Sequence, residues 1–178
     1  MPRRPSPDQP PIEDPEKCYE AALRLLGYRW RSSEELRLRL RRRNFSAAVI
    51  ERTIERLTGA GWVDDERFAS EMARSLLRRK RGPRRVLQEL RQFGIDQAGR
   101  EAALSGALQE EPAERHLREL CRRRIRMAVR SRGREWLVSD QERNKLIAYL
   151  LNHGYDYESV ADVVKDELQR AASNEAES

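Results

Sequence analysis

The sequence predicts an all-α protein: an elongated tandem array of three three-helix, helix-turn-helix-like repeats. Three observations lead there. Only 6% of the 178 residues are aromatic and β-branched runs are scarce, while Leu, Ala, Arg and Glu dominate, a composition that favours helix. Apolar residues recur at i, i+3, i+4 and i+7 in one segment after another, which is the stripe of an amphipathic helix. With 38% hydrophobic and 37% charged residues, the chain is too charged for one thick core, so several small helical units fit it better.

Residues 1–15 hold six of the eight prolines and almost nothing apolar, so burial cannot offset the entropy of ordering them and a disordered tail is expected. Over 16–28, Tyr19, Ala22, Leu23 and Leu26 form one stripe, and Gly27 marks its end. Ser32 and Glu35 have capping-box spacing, so a second helix opens there, turns Leu36 and Leu40 inward and stops near Asn44. After Phe45, Ser46 caps a third helix carrying Ile50, Ile54 and Leu57, stopped by the Gly-Ala-Gly run at 59–61.

The pattern then restarts. Asp64 and Asp65 cap a helix with Phe68, Met72 and Leu76 on one face. Gly82-Pro83 stops it and starts the next, because Pro has no N–H to lose at a first helical position and its fixed φ suits that site. Val86 and Leu90 face inward, Gly94 ends that helix, and Ile95-Asp96 leads into a third with Ala102, Ala103, Leu104 and Leu108. The third pass follows Pro112: a long stripe of Leu117, Leu120, Cys121, Ile125 and Ala128, a loop with Gly133 and Trp136, a helix with Leu146 and Leu150, and a last helix with Val160, Val163, Val164 and Leu168. Residues 171–178 are small, polar and acidic, and a frayed tail is expected.

The second helices superimpose without a gap. Leu36, Leu40, Asn44 and Phe45 match Val86, Leu90, Gly94 and Ile95, and again Leu146, Leu150, Gly154 and Tyr155; Ser46, Asp96 and Asp156 follow in register as N-caps. Two apolar residues a turn apart, a residue tolerant of the left-handed conformation, a large hydrophobe and a cap make a five-position code, which signals tandem repeats. The expected boundaries are a tail over 1–15, repeats over 16–63, 64–111 and 112–170, and a tail over 171–178. An insertion over 131–141 lengthens the last repeat.

The formal charge of +6 and a pI near 9.7 suggest a polyanionic partner. Cationic density peaks at 41–43, 78–85, 122–126 and 130–134, at or near helix ends, and stacked repeats would line these clusters into a stripe. The candidate contact residues are Arg41, Arg42, Arg43, Arg78, Arg79, Lys80, Arg81, Arg84, Arg85, Arg122, Arg123, Arg124 and Arg126. Trp30, Trp62 and Trp136 lie in connectors, where packing between helices accounts for them.

Enzyme chemistry finds no foothold in the motifs. There is no phosphate loop, dinucleotide turn, nucleophile elbow or HExxH helix, and His116 and His153 have no neighbouring Cys or second His. Cys18 and Cys121 are far apart, without CxxC spacing, and read as small buried hydrophobes. The expectation is a cytoplasmic binding protein that is not an enzyme, with no cofactor, no metal and no membrane span. Placing the second helix of a repeat in a DNA major groove gives an alternative, a DNA-binding transcriptional or architectural protein. No repeat concentrates Asn, Gln and Arg at a helix N-terminus for base contacts.

One segment carries a family resemblance. Gly61-Trp62-Val63-Asp64-Asp65-Glu66-Arg67-Phe68-Ala69, then Arg81-Gly82-Pro83-Arg84-Arg85, Gln88-Glu89-Leu90 and Gly94-Ile95, resembles the central signature of RecX-type regulatory proteins. The three-repeat organisation over roughly 18–168 is similar too. That resemblance implies a cytoplasmic modulator of the RecA recombinase in DNA recombination and repair, and a monomer is expected. It implies a curved repeat protein lying in the groove of the RecA–DNA filament, where it suppresses ATP hydrolysis and strand exchange by blocking filament growth or promoting disassembly. Contacts with several protomers at once would strengthen such binding, with the cations of 78–85 facing acidic protein surface or the DNA backbone.

Overall fold

The computed structural model describes residues 10–173. Among them the chain forms nine α-helices and one short 3-10 helix, with no strand beyond an isolated bridge between Ile12 and Phe45. The helices are α1 Pro15–Leu26, α2 Ser33–Arg41, α3 Ala47–Gly59, α4 Asp65–Arg78, α5 Pro83–Gln92, α6 Gln97–Glu110, α7 Ala113–Arg132, α8 Asp140–Asn152 and α9 Tyr157–Ser173; the 3-10 helix is Arg134–Val138. This is the all-α repeat array that the periodicity predicts.

The three-fold code is visible atom by atom. Asn44, Gly94 and Gly154 all adopt positive φ, at 66°, 76° and 93°. Each ends its helix in the left-handed region that glycine enters freely and asparagine tolerates. The caps follow in register: Ser46 Oγ accepts from Val49 N at 3.4 Å, Asp96 Oδ1 from Gly99 N at 2.8 Å, and Asp156 Oδ1 from Ser159 N at 2.8 Å. The paired apolar positions Leu36, Leu40, Val86, Leu90, Leu146 and Leu150 are all buried.

The chain divides into two compact units, one of residues 10–71 with 90–100 and the other of 72–89 with 101–173. The first is built on Cys18, Ala22, Leu25, Leu36, Leu40, Ile50, Ile54 and Leu57. Phe68 and Phe93 add an edge-to-face ring pair with centroids 5.3 Å apart. The second is built on Leu117, Cys121, Ile125, Trp136, Leu146, Leu150, Tyr155, Val160 and Val164. Both cysteines are free and buried, as expected.

Four details depart from the sequence reading. Of the tail expected over 1–15, residues 1–9 lie outside the described residues, whereas 10–14 are hydrogen-bonded: Ile12 N donates to Asn44 O at 2.7 Å and Ser46 N to Ile12 O at 3.1 Å. Asp14 then caps α1, accepting from Lys17 N at 3.1 Å. In α6 the buried residues are Ala103 and Ala107 rather than Ala102 and the leucines, so small side chains line its inner face. Glu35 does not close a capping box on Ser32; its carboxylate turns to Arg29, Arg31 and Arg39 instead. Of the tail expected over 171–178, residues 171–173 are helical and 174–178 lie outside the described residues.

Candidate functional site

The most basic stretch, 78–85, is held by its backbone rather than by its charges. Lys80 takes a left-handed conformation, φ 61°, that closes α4, with Lys80 N donating to Leu77 O at 2.7 Å and Arg81 N to Leu76 O at 3.0 Å. Gly82 N then donates to His153 O at 2.7 Å, Arg84 N to Gly154 O at 3.0 Å and Tyr155 Oη to Lys80 O at 3.3 Å. The approach is so close that a Cβ on Gly82 would sit 2.3 Å from Gly154 C, and one on Gly154 would sit 2.4 Å from Arg85 Cβ. Glycine is required on both sides. The α4–α5 turn is therefore clamped to the α8–α9 turn, and its guanidinium groups project from a fixed base.

The candidate cations divide by what they touch. Arg78, Arg79 and Arg84 are exposed and Arg81 half-buried, and none of the four makes a side-chain hydrogen bond or ion pair among the described residues. Lys80 instead pairs with Glu119, while Arg85 pairs with Glu89 at 3.0 Å and donates to Gln88 at 3.2 Å. Arg84 also lies near enough to Asp156 to help lower its carboxyl, although the Ser159 backbone N–H is the larger cause. In the first unit, Arg41 and Arg42 are exposed at the end of α2, and Arg43 donates to Ala21 O at 3.4 Å.

The α7 candidates separate in the same way. Arg122 is an internal partner, 2.7 Å from the buried carboxylate of Glu167, which also takes Arg118 and Arg170. Arg124 lies over the Tyr149 ring, 4.9 Å from its centroid. Arg123 and Arg126 are exposed without a partner among the described residues, and so is Arg130, which is not one of the candidate contact residues. Glu119, Arg123, Arg126 and Arg130 follow helical spacing, so they share one face of α7. That i, i+4, i+7, i+11 series was the available signal for Arg130.

No group of three or more His, Cys, Asp or Glu among the described residues is placed to hold a metal ion. Burial pushes the Cys121 thiol up to about 12, helped by Glu167, so it is protonated and unreactive at neutral pH. No described helix is long and apolar enough to cross a membrane.

Comparison with known proteins gives three concordant results. Two family models match, described as the first three-helix domain of RecX over residues 18–57 and the second three-helix domain of RecX over 64–104. Regulatory protein RecX of Chlorobium phaeobacteroides is 32% identical over 161 residues, covering 89% of this chain and 97% of that protein. Regulatory protein RecX of Mycolicibacterium smegmatis is 32% identical over 174 residues, covering 91% and 87%. The crystal structure of RecX from Lactobacillus salivarius superimposes with a TM-score of 0.72 at 23% identity, over 86% of this chain and 96% of that one, and so shares its fold.

Proposed function

This chain belongs to the RecX family of regulatory proteins, and from that premise we propose that it regulates the RecA recombinase by binding in the groove of the RecA–DNA filament. Bound there, it inhibits RecA ATP hydrolysis, filament growth and strand exchange, and so tunes recombination and repair in the cytoplasm. The protein acts by occupancy, as a monomer without a cofactor, and not as an enzyme.

The observation that carries this reading is the clamped turn at Gly82-Pro83. Its backbone is committed to His153, Gly154 and Tyr155, yet Arg78, Arg79, Arg81 and Arg84 make no side-chain hydrogen bond or ion pair among the described residues. A cation cluster whose charges are unused inside the unit and whose backbone is rigid suits docking, because little side-chain and loop ordering is left to oppose binding. Acidic protein surface is the first target of these residues and the DNA backbone the second.

A RecA ATPase assay on single-stranded DNA tests the reading. Purified protein lowers the hydrolysis rate, and the Arg84→Glu/Arg85→Glu variant, helical by circular dichroism, lowers it much less. Full inhibition by the double variant would remove this surface from the mechanism, and no effect of the unaltered protein would remove RecA as the target.

A further inference from the structure

The C-terminal half of α7 carries a groove that the function above does not use. It has a volume of about 740 Å³ and is lined by Ile125, Met127, Val129, Leu137 and Ala171 with Arg123, Arg126 and Arg130. All the lining residues belong to the second unit. Ile125 is buried, and Val129, Leu137 and Ala171 are half-buried, so the floor is aliphatic. Met127, 55% exposed, is the one large hydrophobic residue of α7 left in solvent.

Charge and floor together select an occupant. Arg123, Arg126 and Arg130 are three and four residues apart, which places their Cα atoms about 4.5 Å and 6 Å apart along the helix axis. No described carboxylate pairs with any of them. Nucleic acid would be met by phosphate contacts plus rings on which bases stack, but the groove offers no free ring. Tyr149 is covered by Arg124, and Trp136 is 6% exposed with Nε1 donating to Glu142 Oε2 at 2.9 Å. An aliphatic floor beside a row of guanidinium groups instead complements a helix that presents leucine-like side chains on one stripe and carboxylates on the next. An exposed Met at the rim suits such contact, since its thioether side chain adapts to different apolar partners.

We propose that this groove is a docking site for an acidic amphipathic helix of a partner protein, separate from the 78–85 turn. Arg123, Arg126 and Arg130 pair with its carboxylates, and Met127 with the aliphatic floor takes its apolar stripe.

Fluorescence anisotropy with three labelled probes tests it. The first is a blocked helical 14-mer with glutamates one turn apart and leucines on the adjoining stripe; the second is polyglutamate of equal length and charge; the third is a dT14 oligonucleotide. The amphipathic peptide binds most tightly. Arg123→Ala/Arg126→Ala/Arg130→Ala, at exposed positions where alanine keeps the helix, weakens it about tenfold, as three surface charge pairs would. Met127→Glu weakens it as well, while Arg84→Glu/Arg85→Glu leaves it unchanged. Equal binding of polyglutamate, tighter binding of dT14, or unaltered peptide binding by the triple variant would each overturn the proposal.

Discussion

Two carboxylates, Glu35 half-buried and Glu167 buried, show why so many arginines of this chain are not contact residues. Glu35 accepts from Arg29, Arg31 and Arg39 on a single oxygen, Oε1. Glu167, 4% exposed, is held by Arg118, Arg122 and Arg170. For Glu167, burial pushes the carboxyl up, but Arg122, Arg170 and Arg118 outweigh it and leave the group below its ordinary 4.5. A depressed folded value means that the ionised form stabilises the native state. That stabilisation is complete above the ordinary glutamate value and is lost as pH falls through the lower folded value. Over the acid range below the ordinary glutamate value, wild type therefore loses stability more steeply than Glu167→Gln, which starts lower by about 1–2 kcal/mol for its weakened arginine pairs. Urea melts across that range check this, and parallel acid limbs would refute it. A cluster of arginines in the sequence does not reveal which members face carboxylates. Arg122 and Arg126 look alike in one dimension, and only α9 packed on α7 separates them.

At the scale of the element, the unit of construction is a turn seated on a turn. The 10–13 segment lies against Asn44 and Ser46. The start of α2 lies against Phe93 and Gly94, with Ser32 Oγ donating to Phe93 O at 2.7 Å. The start of α5 lies against His153 and Gly154. The five-position code made the helices, the caps and the left-handed residue legible, since each depends on neighbours three or four residues away. It did not reveal the seating, because backbone groups of distant residues carry it. Two glycine substitutions separate the local and distant causes. Gly61 has φ 73° with nothing near a Cβ, so Gly61→Ala costs only the left-handed penalty, about 1 kcal/mol. Gly154 combines φ 93° with Arg85 Cβ and N at 2.4 and 2.6 Å, so Gly154→Ala costs about 2 kcal/mol or more and loosens the 78–85 turn. Chemical denaturation of the two variants measures the difference, and equal losses would mean that the seating adds nothing.

For the whole molecule, the net charge of +6 offers a readout that its fold does not share. The cores of both units are aliphatic, whereas Arg41, Arg42, Arg78, Arg79 and Arg84 face solvent. Salt screens exposed charges strongly and buried apolar contacts little. On the proposed function, raising salt from about 50 to about 200 mM should raise the concentration needed for half-inhibition of RecA, with little change in helical content. Arg84→Glu/Arg85→Glu should flatten that dependence. A titration series with circular dichroism on the same samples decides it, and inhibition that ignores salt would argue against a cationic docking face.

The sequence by itself determined what local physics controls: an all-α chain, three passes of one helix pattern, the stops at Asn44, Gly94 and Gly154, and the motif around Gly82-Pro83 that marks the family. Periodicity, capping and left-handed tolerance act within a turn or two, so one dimension is enough to read them. Tertiary structure alone decided which cations remain free, which glycines are seated against backbone, and that Leu137 and Ala171 make an aliphatic groove beside Arg123, Arg126 and Arg130. Those properties depend on what a distant segment brings within a few ångströms, and no spacing along the chain encodes that distance.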